Sequence, residues 1–259
     1  MANGTEGADR FEISSVISRA FEAIGANFLL YLGLALVFSG IPTFALSWWQ
    51  NSRLGPGGAV DPQAVFTMAT WMPVLISWAV GVVSNAVLQA ALTRATVMHL
   101  SGEKPGFAQC LTVGVTMILP MIAIGFISTI GVALAMLLLI VPGIMLSLAW
   151  SVIVPVYVQE RVGLLETFGR SLELTRGARW RILLVMIILT IGAWLLTIPT
   201  GIVVAMSRGM ESPLVVASFT AVIGALSAMV TVSILASIYV ELRNVKEGVA
   251  PNELESIFA

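Results

Sequence analysis

Residues 105–159 read PGFAQCLTVGVTMILPMIAIGFISTIGVALAMLLLIVPGIMLSLAWSVIVPVYVQ, 55 positions without an Asp, Glu, Lys or Arg. A helix that crosses a bilayer needs about 20 apolar residues. The stretch therefore holds two crossings, and no soluble domain would carry such a run. Working outward, residues 23–52, 62–93, 182–207 and 212–240 also lack acidic and basic side chains. The expected fold is all-α and integral to the membrane, with six transmembrane helices at roughly 28–49, 70–92, 115–139, 143–159, 182–204 and 214–239. Val141-Pro142-Gly143 is the expected turn inside the long run, because Pro and Gly end helices.

Composition agrees. The 259 residues are 58% hydrophobic and 10% charged, with mean hydropathy +0.98, where soluble domains are about a quarter charged. The first 26 residues carry Glu6, Asp9, Arg10, Glu12, Arg19 and Glu22, which is not the pattern of a cleavable signal. The expected organisation is an N-terminal amphipathic segment at 1–26, a membrane domain at 27–240 and a tail at 241–259.

The basic residues test the topology. Arg10, Arg19, Arg94, Lys104, Arg161, Arg170, Arg176, Arg179, Arg181, Arg243 and Lys246 fall on one side of the six-span arrangement, and only Arg53 and Arg208 on the other. The positive-inside rule puts the larger set in the cytoplasm, with both termini inside. Trp48, Trp49 and Trp71 then sit at the outer interface and Trp180 at the inner one. The bacterial inner membrane is the expected location.

Two segments outside the spans have helical period and a polar face. In one, Ile13, Ile17, Ala20, Phe21 and Ile24 form the apolar stripe. In the other, Leu164, Leu165, Phe168, Leu172 and Thr175 do, opposite Glu166, Arg170, Glu173 and Arg181. Both are expected as cytoplasmic interfacial helices. Arg19-Ala20-Phe21-Glu22 aligns with Arg170-Ser171-Leu172-Glu173, and a fainter copy begins at Phe107. The pattern points to an internal repeat of an interfacial helix followed by a helical hairpin.

Chemistry is sparse. The predicted spans contain no Asp, Glu, Lys, Arg or His, although intramembrane ionisable groups are the usual mark of proton and ion pathways. A lone His99 cannot build a metal site. Cys110 reads as a small apolar side chain. No catalytic residue, metal or cofactor is expected, and no nucleic-acid partner. Asn85, Gln89 and Thr93 line one face of the second span, either as an interhelical hydrogen-bond seam or as the wall of a groove. Ala217, Ala221, Gly224 and Ala228 make a small-residue stripe for close helix packing. Arg170, Arg176, Arg179, Trp180 and Arg181 either attract anionic headgroups or only set topology.

Pro142-Gly143-Ile144, Trp150, Pro155, Glu160, then Arg170-Ser171-Leu172-Glu173-Leu174-Thr175-Arg176-Gly177 and Arg179-Trp180, resemble the glycerophosphoryl diester phosphodiesterase membrane-domain group and related bacterial inner-membrane proteins. The resemblance covers about 140–182. It implies a six-helix membrane module with an envelope- or lipid-related role and supplies no catalytic residues. In some relatives a soluble phosphodiesterase domain follows this domain, and the sequence here holds none. The expected function is a non-enzymatic membrane module that engages anionic lipids, a partner membrane protein or a second copy of itself. The alternative is a transporter, or its membrane subunit, moving a lipid or small apolar solute beside Asn85 and Gln89.

Overall fold

The computed structural model describes residues 11–53, 68–207 and 213–248. Among these residues there are helices and no strands. In chain order the helices are α1 (Ile13–Ala26), α2 (Phe28–Ala35), α3 (Ile41–Arg53), α4 (Met68–Leu100), α5 (Phe107–Thr116), α6 (Ile118–Leu138), α7 (Ile140–Ala149), α8 (Ile153–Glu160), α9 (Leu164–Thr175), α10 (Arg179–Ser207) and α11 (Pro213–Glu247). A π-turn, Leu36–Gly40, joins α2 to α3. Six runs are long and apolar enough to cross a membrane: Phe28–Trp48, Val74–Leu100, Ile118–Leu138, Ile140–Glu160, Arg179–Val203 and Leu214–Glu247. The chain is a multi-pass membrane protein. Gly55-Pro56-Gly57-Gly58, a composition that favours an exposed turn, lies outside the described residues.

The element order repeats three times. A short helix (α1, α5 or α9) precedes two long runs: α2–α3 with α4, α6 with α7–α8, and α10 with α11. The copy beginning at Phe107 is therefore a helix of the same rank as the other two.

Breaks inside the long runs follow from proline, which cannot donate to the carbonyl four residues earlier and clashes with it. Pro120 lies four residues after Thr116, where α5 gives way to α6 at Met117. Pro155 lies four residues after Ser151, inside the break between α7 and α8. Pro42 lies four residues after Phe38, within the π-turn, as mid-helix π-bulges mark a misplaced hydrogen bond. Pro199 sits inside the continuous α10.

The expected turn at Val141-Pro142-Gly143 is displaced. The chain reverses at Leu139, whose extended backbone (φ −158, ψ 135) caps α7. Pro142 then falls in the first helical turn, where no amide donor is required. Gly143 is a helix-contact residue: a Cβ there would lie 2.8 Å from the N and Cα of Met136 on α6. Gly131 of α6 similarly seats the Trp150 ring.

α4 and α11 form the middle of the bundle. Tyr31, Leu34, Leu88, Ala91, Leu92, Ala95, Ala225 and Met229 make one buried cluster between them and α2. The Tyr31 hydroxyl donates to Thr96 Oγ1 at 2.9 Å. α5 is docked on the bundle by one face, through Cys110 and Gly114, and its other face is exposed. Cys110 packs into the same cluster, and Gly114 rests on Val87 and Ala91, where a Cβ would come within 2.8 Å of the Val87 carbonyl. Burial pushes the Cys110 thiol upward in pKa against the pull of Arg94, which suits an inert packing role.

α1 and α9 also bury their faces in protein. α1 turns Val16, Ala20, Ala23 and Ile24 inward, while Phe21 of the expected stripe is 52% exposed. α9 buries Thr167, Phe168, Ser171, Leu174 and Thr175, leaving Leu165 and Leu172 of the expected stripe exposed. The inward faces are thus rotated from the expected stripes, α1 packing against α11 and α9 donating from Ser171 to the Ala149 carbonyl.

Candidate lipid-facing site

Among the described residues Arg19, Glu160, Arg170, Glu173, Glu241, Arg243 and Glu247 are tied to each other in ion pairs. Arg170 on α9 donates from Nε to Glu160 Oε2 at 2.9 Å, from Nη2 to Glu247, and lies 3.5 Å from Glu173. Arg243 Nε donates to the other Glu247 oxygen at 2.9 Å, and the Tyr239 hydroxyl to Glu160 Oε1 at 3.1 Å. The Glu160 hydrogen bond raises the already high Arg170 pKa, so its charge is permanent. This network joins the ends of α8, α9 and α11.

A second lock holds α1. Glu241, 6% exposed, accepts from Arg19 Nη1 at 2.5 Å and Ser15 Oγ at 3.1 Å. At the other end of α1, Asn27 Nδ2 donates to His99 Nδ1 of α4 at 3.1 Å. Glu241 is the first residue of the expected tail, and α11 continues through it to Glu247. The signal that could have located it is its place one residue from Leu242 and three from Ile238, both fully buried on the same helix.

The expected arginine-rich helix is not one surface. Only Arg170 lies on α9, and it is consumed by its carboxylates. Arg176 follows the last helical residue, Gly177 takes a left-handed φ of 92 to turn the chain, and Arg179, Trp180 and Arg181 open α10. Arg176 is exposed. Trp180 is 77% exposed. The Nε of Arg179 is buried without an acceptor among the described residues. Arg181 donates from Nη1 to the Phe11 carbonyl at 2.8 Å, which leaves most of its fork of donors.

Above Arg181 lies the crevice that no sequence signal announced. It has a volume of about 460 Å³ and lies between α10 and α11, with Val185, Leu189, Gly192 and Leu196 on one wall and Leu226 and Val230 on the other. Ile17 and Phe21 of α1 close its charged end. Arg181 is four residues before Val185 and so on the same helix face. The crevice was hidden because lipid-facing and cavity-lining apolar residues have the same composition.

The other expected site residues are placed as follows. Gln89 Nε2 donates to Asn85 Oδ1 within α4, which pairs the two amides along one helix. Thr93 is buried. None of the three lines the crevice. In the small-residue stripe Ala217 and Ala221 are buried, and the Ala221 carbonyl lies 3.8 Å from where a Cβ on Gly40 would stand. Gly224 has nothing within 4 Å of a Cβ, and Ala228 is only partly buried. The packing residue sequence missed is Ala225, 0% exposed and four residues beyond Ala221. The stripe thus packs within this chain.

Two hydroxyls sustain the α7–α8 break. The Ile153 amide bonds the Trp150 carbonyl, leaving the Ala149 carbonyl without its helical donor, and Ser171 Oγ donates to it at 2.8 Å. Thr175 Oγ1 donates to the Ser171 carbonyl at 2.9 Å and lies 3.3 Å from the same Ala149 oxygen. A buried acceptor left unpaired costs about 1–3 kcal/mol. Ser171→Ala is expected to lower thermal stability by that order, and Ser171→Thr, which keeps the hydroxyl, by less. Equal losses for the two variants would assign the effect to packing.

Among the described residues no group of three His, Cys, Asp or Glu side chains is placed to hold a metal ion. Comparison with known protein families, with curated proteins and with solved structures finds no match.

Proposed function

We propose that this chain is a non-enzymatic membrane module that holds an anionic lipid, with an acyl chain in the α10–α11 crevice and the headgroup at Arg181. The observation that carries this reading is the apolar crevice of about 460 Å³ whose α10 wall continues into an arginine with donors to spare. An acyl chain fits an apolar slot open to the bilayer, and a phosphate fits a guanidinium fork at the membrane surface. Arg176, Arg179 and Trp180 extend the same basic, aromatic margin, each basic residue adding about 1 kcal/mol of attraction to anionic lipid. The orphaned Arg179 Nε is a further donor suited to that anion. Arg170 has no part in it. The charged end lies in the cytoplasm of a bacterial inner membrane under the positive-inside rule. The resemblance of residues 140–182 to the phosphodiesterase membrane-domain group points to the same lipid setting.

The test is lipid mass spectrometry of the protein extracted into native nanodiscs. A Cβ at Gly192 would meet nothing within 4 Å, and Gly192 lines the crevice, so Gly192→Phe starts from open space and puts a ring where the acyl chain would lie. The wild-type chain is expected to retain one anionic lipid class several-fold over bulk, and Gly192→Phe and Arg181→Gln each to abolish most of that enrichment. Bulk-like lipid in the wild type, with a stoichiometric protein partner, would overturn the reading and make the chain an accessory subunit.

A further inference from the structure

The three short helices are not held alike. α5 packs on α4 and α9 on α8, each beside the helix it follows in the chain. α1 packs on α11, from the opposite end of the chain. Its buried side chains are mostly small: Val16, Ala20 and Ala23 are fully buried and Ile24 nearly so. Apolar stabilisation scales with the area removed from water, so this face contributes little for its length. The polar contacts converge on one group. Glu241 accepts from Arg19 Nη1 at 2.5 Å, Ser15 Oγ at 3.1 Å and the Glu12 amide at 3.5 Å. The peptide unit that supplies that amide also supplies the Phe11 carbonyl bonded by Arg181. The start of α1 is thus pinned to α11 by Glu241 and to α10 by Arg181. It lies across the end of the crevice that Ile17 and Phe21 close.

α1 carries a second apolar face. The stripe Ile13, Ile17, Phe21 and Ile24 is not the face it buries. Phe21 is 52% exposed, and Ile13 and Ile17 are half-buried. Ser15, Ser18, Arg19 and Glu22 give the same helix a polar side. A helix with such a stripe lies in the plane of a membrane surface, apolar side down. One face of small residues therefore suits protein, and one of large residues suits lipid. The joint between α1 and α2 is Asn27, at a non-helical φ of −127 and ψ of 34. Its side chain is tied to His99 of α4. Hinges are a few residues at element ends that absorb such changes.

We propose that α1 is the latch of the α10–α11 crevice, held shut by Glu241. Docked, it closes the slot with Ile17 and Phe21 and retains the lipid. Released, it rests on the membrane surface by its large-residue stripe, and lipid enters and leaves. The ratio of the two states follows the free energy of the Glu241 contacts. Glu241 is a positioning residue, since it acts on the lipid through α1. The inference rests on the lipid reading of the crevice.

Glu241→Gln keeps the shape and removes the charge. Hydrogen exchange reads α1, and native mass spectrometry reads replacement of retained phosphatidylglycerol by its deuterated form, both on nanodiscs. Amides of residues 13–26 are expected to exchange about tenfold faster, those of α9 at the wild-type rate, and the lipid to be replaced several-fold faster. Wild-type protection of α1 would overturn the proposal. Faster exchange spread equally over α9 and α11 would also overturn it, and would make Glu241 a residue of general stability. A freed α1 with unchanged lipid replacement would overturn it too, and leave the lipid reading standing. A wild-type chain that retains no phosphatidylglycerol above bulk would remove both. Arg19→Gln breaks the same pair from its more exposed side and repeats the test if Glu241→Gln does not fold.

Discussion

Arg170→Met is expected to lower the stability of the folded protein by about 3 kcal/mol and to leave its anionic lipid content unchanged. The guanidinium fills three roles at once, with Nε on Glu160, Nη1 toward Glu173 and Nη2 on Glu247. Glu160 retains 16% of its side-chain exposure and Arg170 26%, so neither charge is well solvated. Breaking a fully buried pair by removing one partner costs about 3–5 kcal/mol. Partial exposure puts this site at the lower edge, and Glu160 is the stranded carboxylate, since Glu247 keeps its pair with Arg243. Arg170→Lys should recover about half, since an ammonium is a point charge and cannot reproduce a planar fork. Combining Arg170→Met with Glu160→Gln should recover part of the loss, because the stranded charge is then gone. Thermal unfolding of the four proteins in nanodiscs checks the series. A wild-type-like Tm for Arg170→Met, together with loss of anionic lipid, would return Arg170 to the headgroup site.

That contrast also shows where reading along the chain stops. The six long apolar runs were legible, because twenty residues without charge have few other fates. The helices at 13–26 and 164–175 were legible from their period of 3.6. Which arginine stays free was not, because Glu160 and Glu247 meet Arg170 from 10 and 77 residues away. Nor was the choice between neighbouring apolar residues. Val16 is sealed in the core while Ile17 lines the crevice. In a soluble protein polar residues mark the outside, but a bilayer accepts the same side chains as the core does. Thr175 reads as a tolerated member of an apolar stripe and Ser171 as a residue outside it, and their use emerges only when the break between α7 and α8 leaves the Ala149 carbonyl bare.

Glycine gives the sharpest inversion, and with it a second large effect. Gly224 reads as a helix-packing residue in a small-residue stripe, and Gly143 as half of a turn. The structure puts the close contact at Gly143 and none at Gly224. A methyl at Gly143 would lie 2.8 Å from two backbone atoms of Met136 and 2.2 Å from its Cγ. Rotamer change can move the Cγ but not the backbone, so α6 and α7 must separate. Overpacking of this kind costs about 1–3 kcal/mol, and more where the backbone must move. Gly143→Ala is therefore expected to destabilise by about 3 kcal/mol and Gly143→Leu to prevent the hairpin from closing. The same methyl at Gly224 meets nothing within 4 Å and removes a flexible residue from α11. Gly224→Ala should leave stability unchanged or raise it by up to about 1 kcal/mol. Side-by-side unfolding of the two alanine variants decides the matter. Equal losses would mean that α11 meets a partner helix at Gly224, and a loss at Gly224 alone would put the close contact in a homo-oligomer and not in the α6–α7 hairpin.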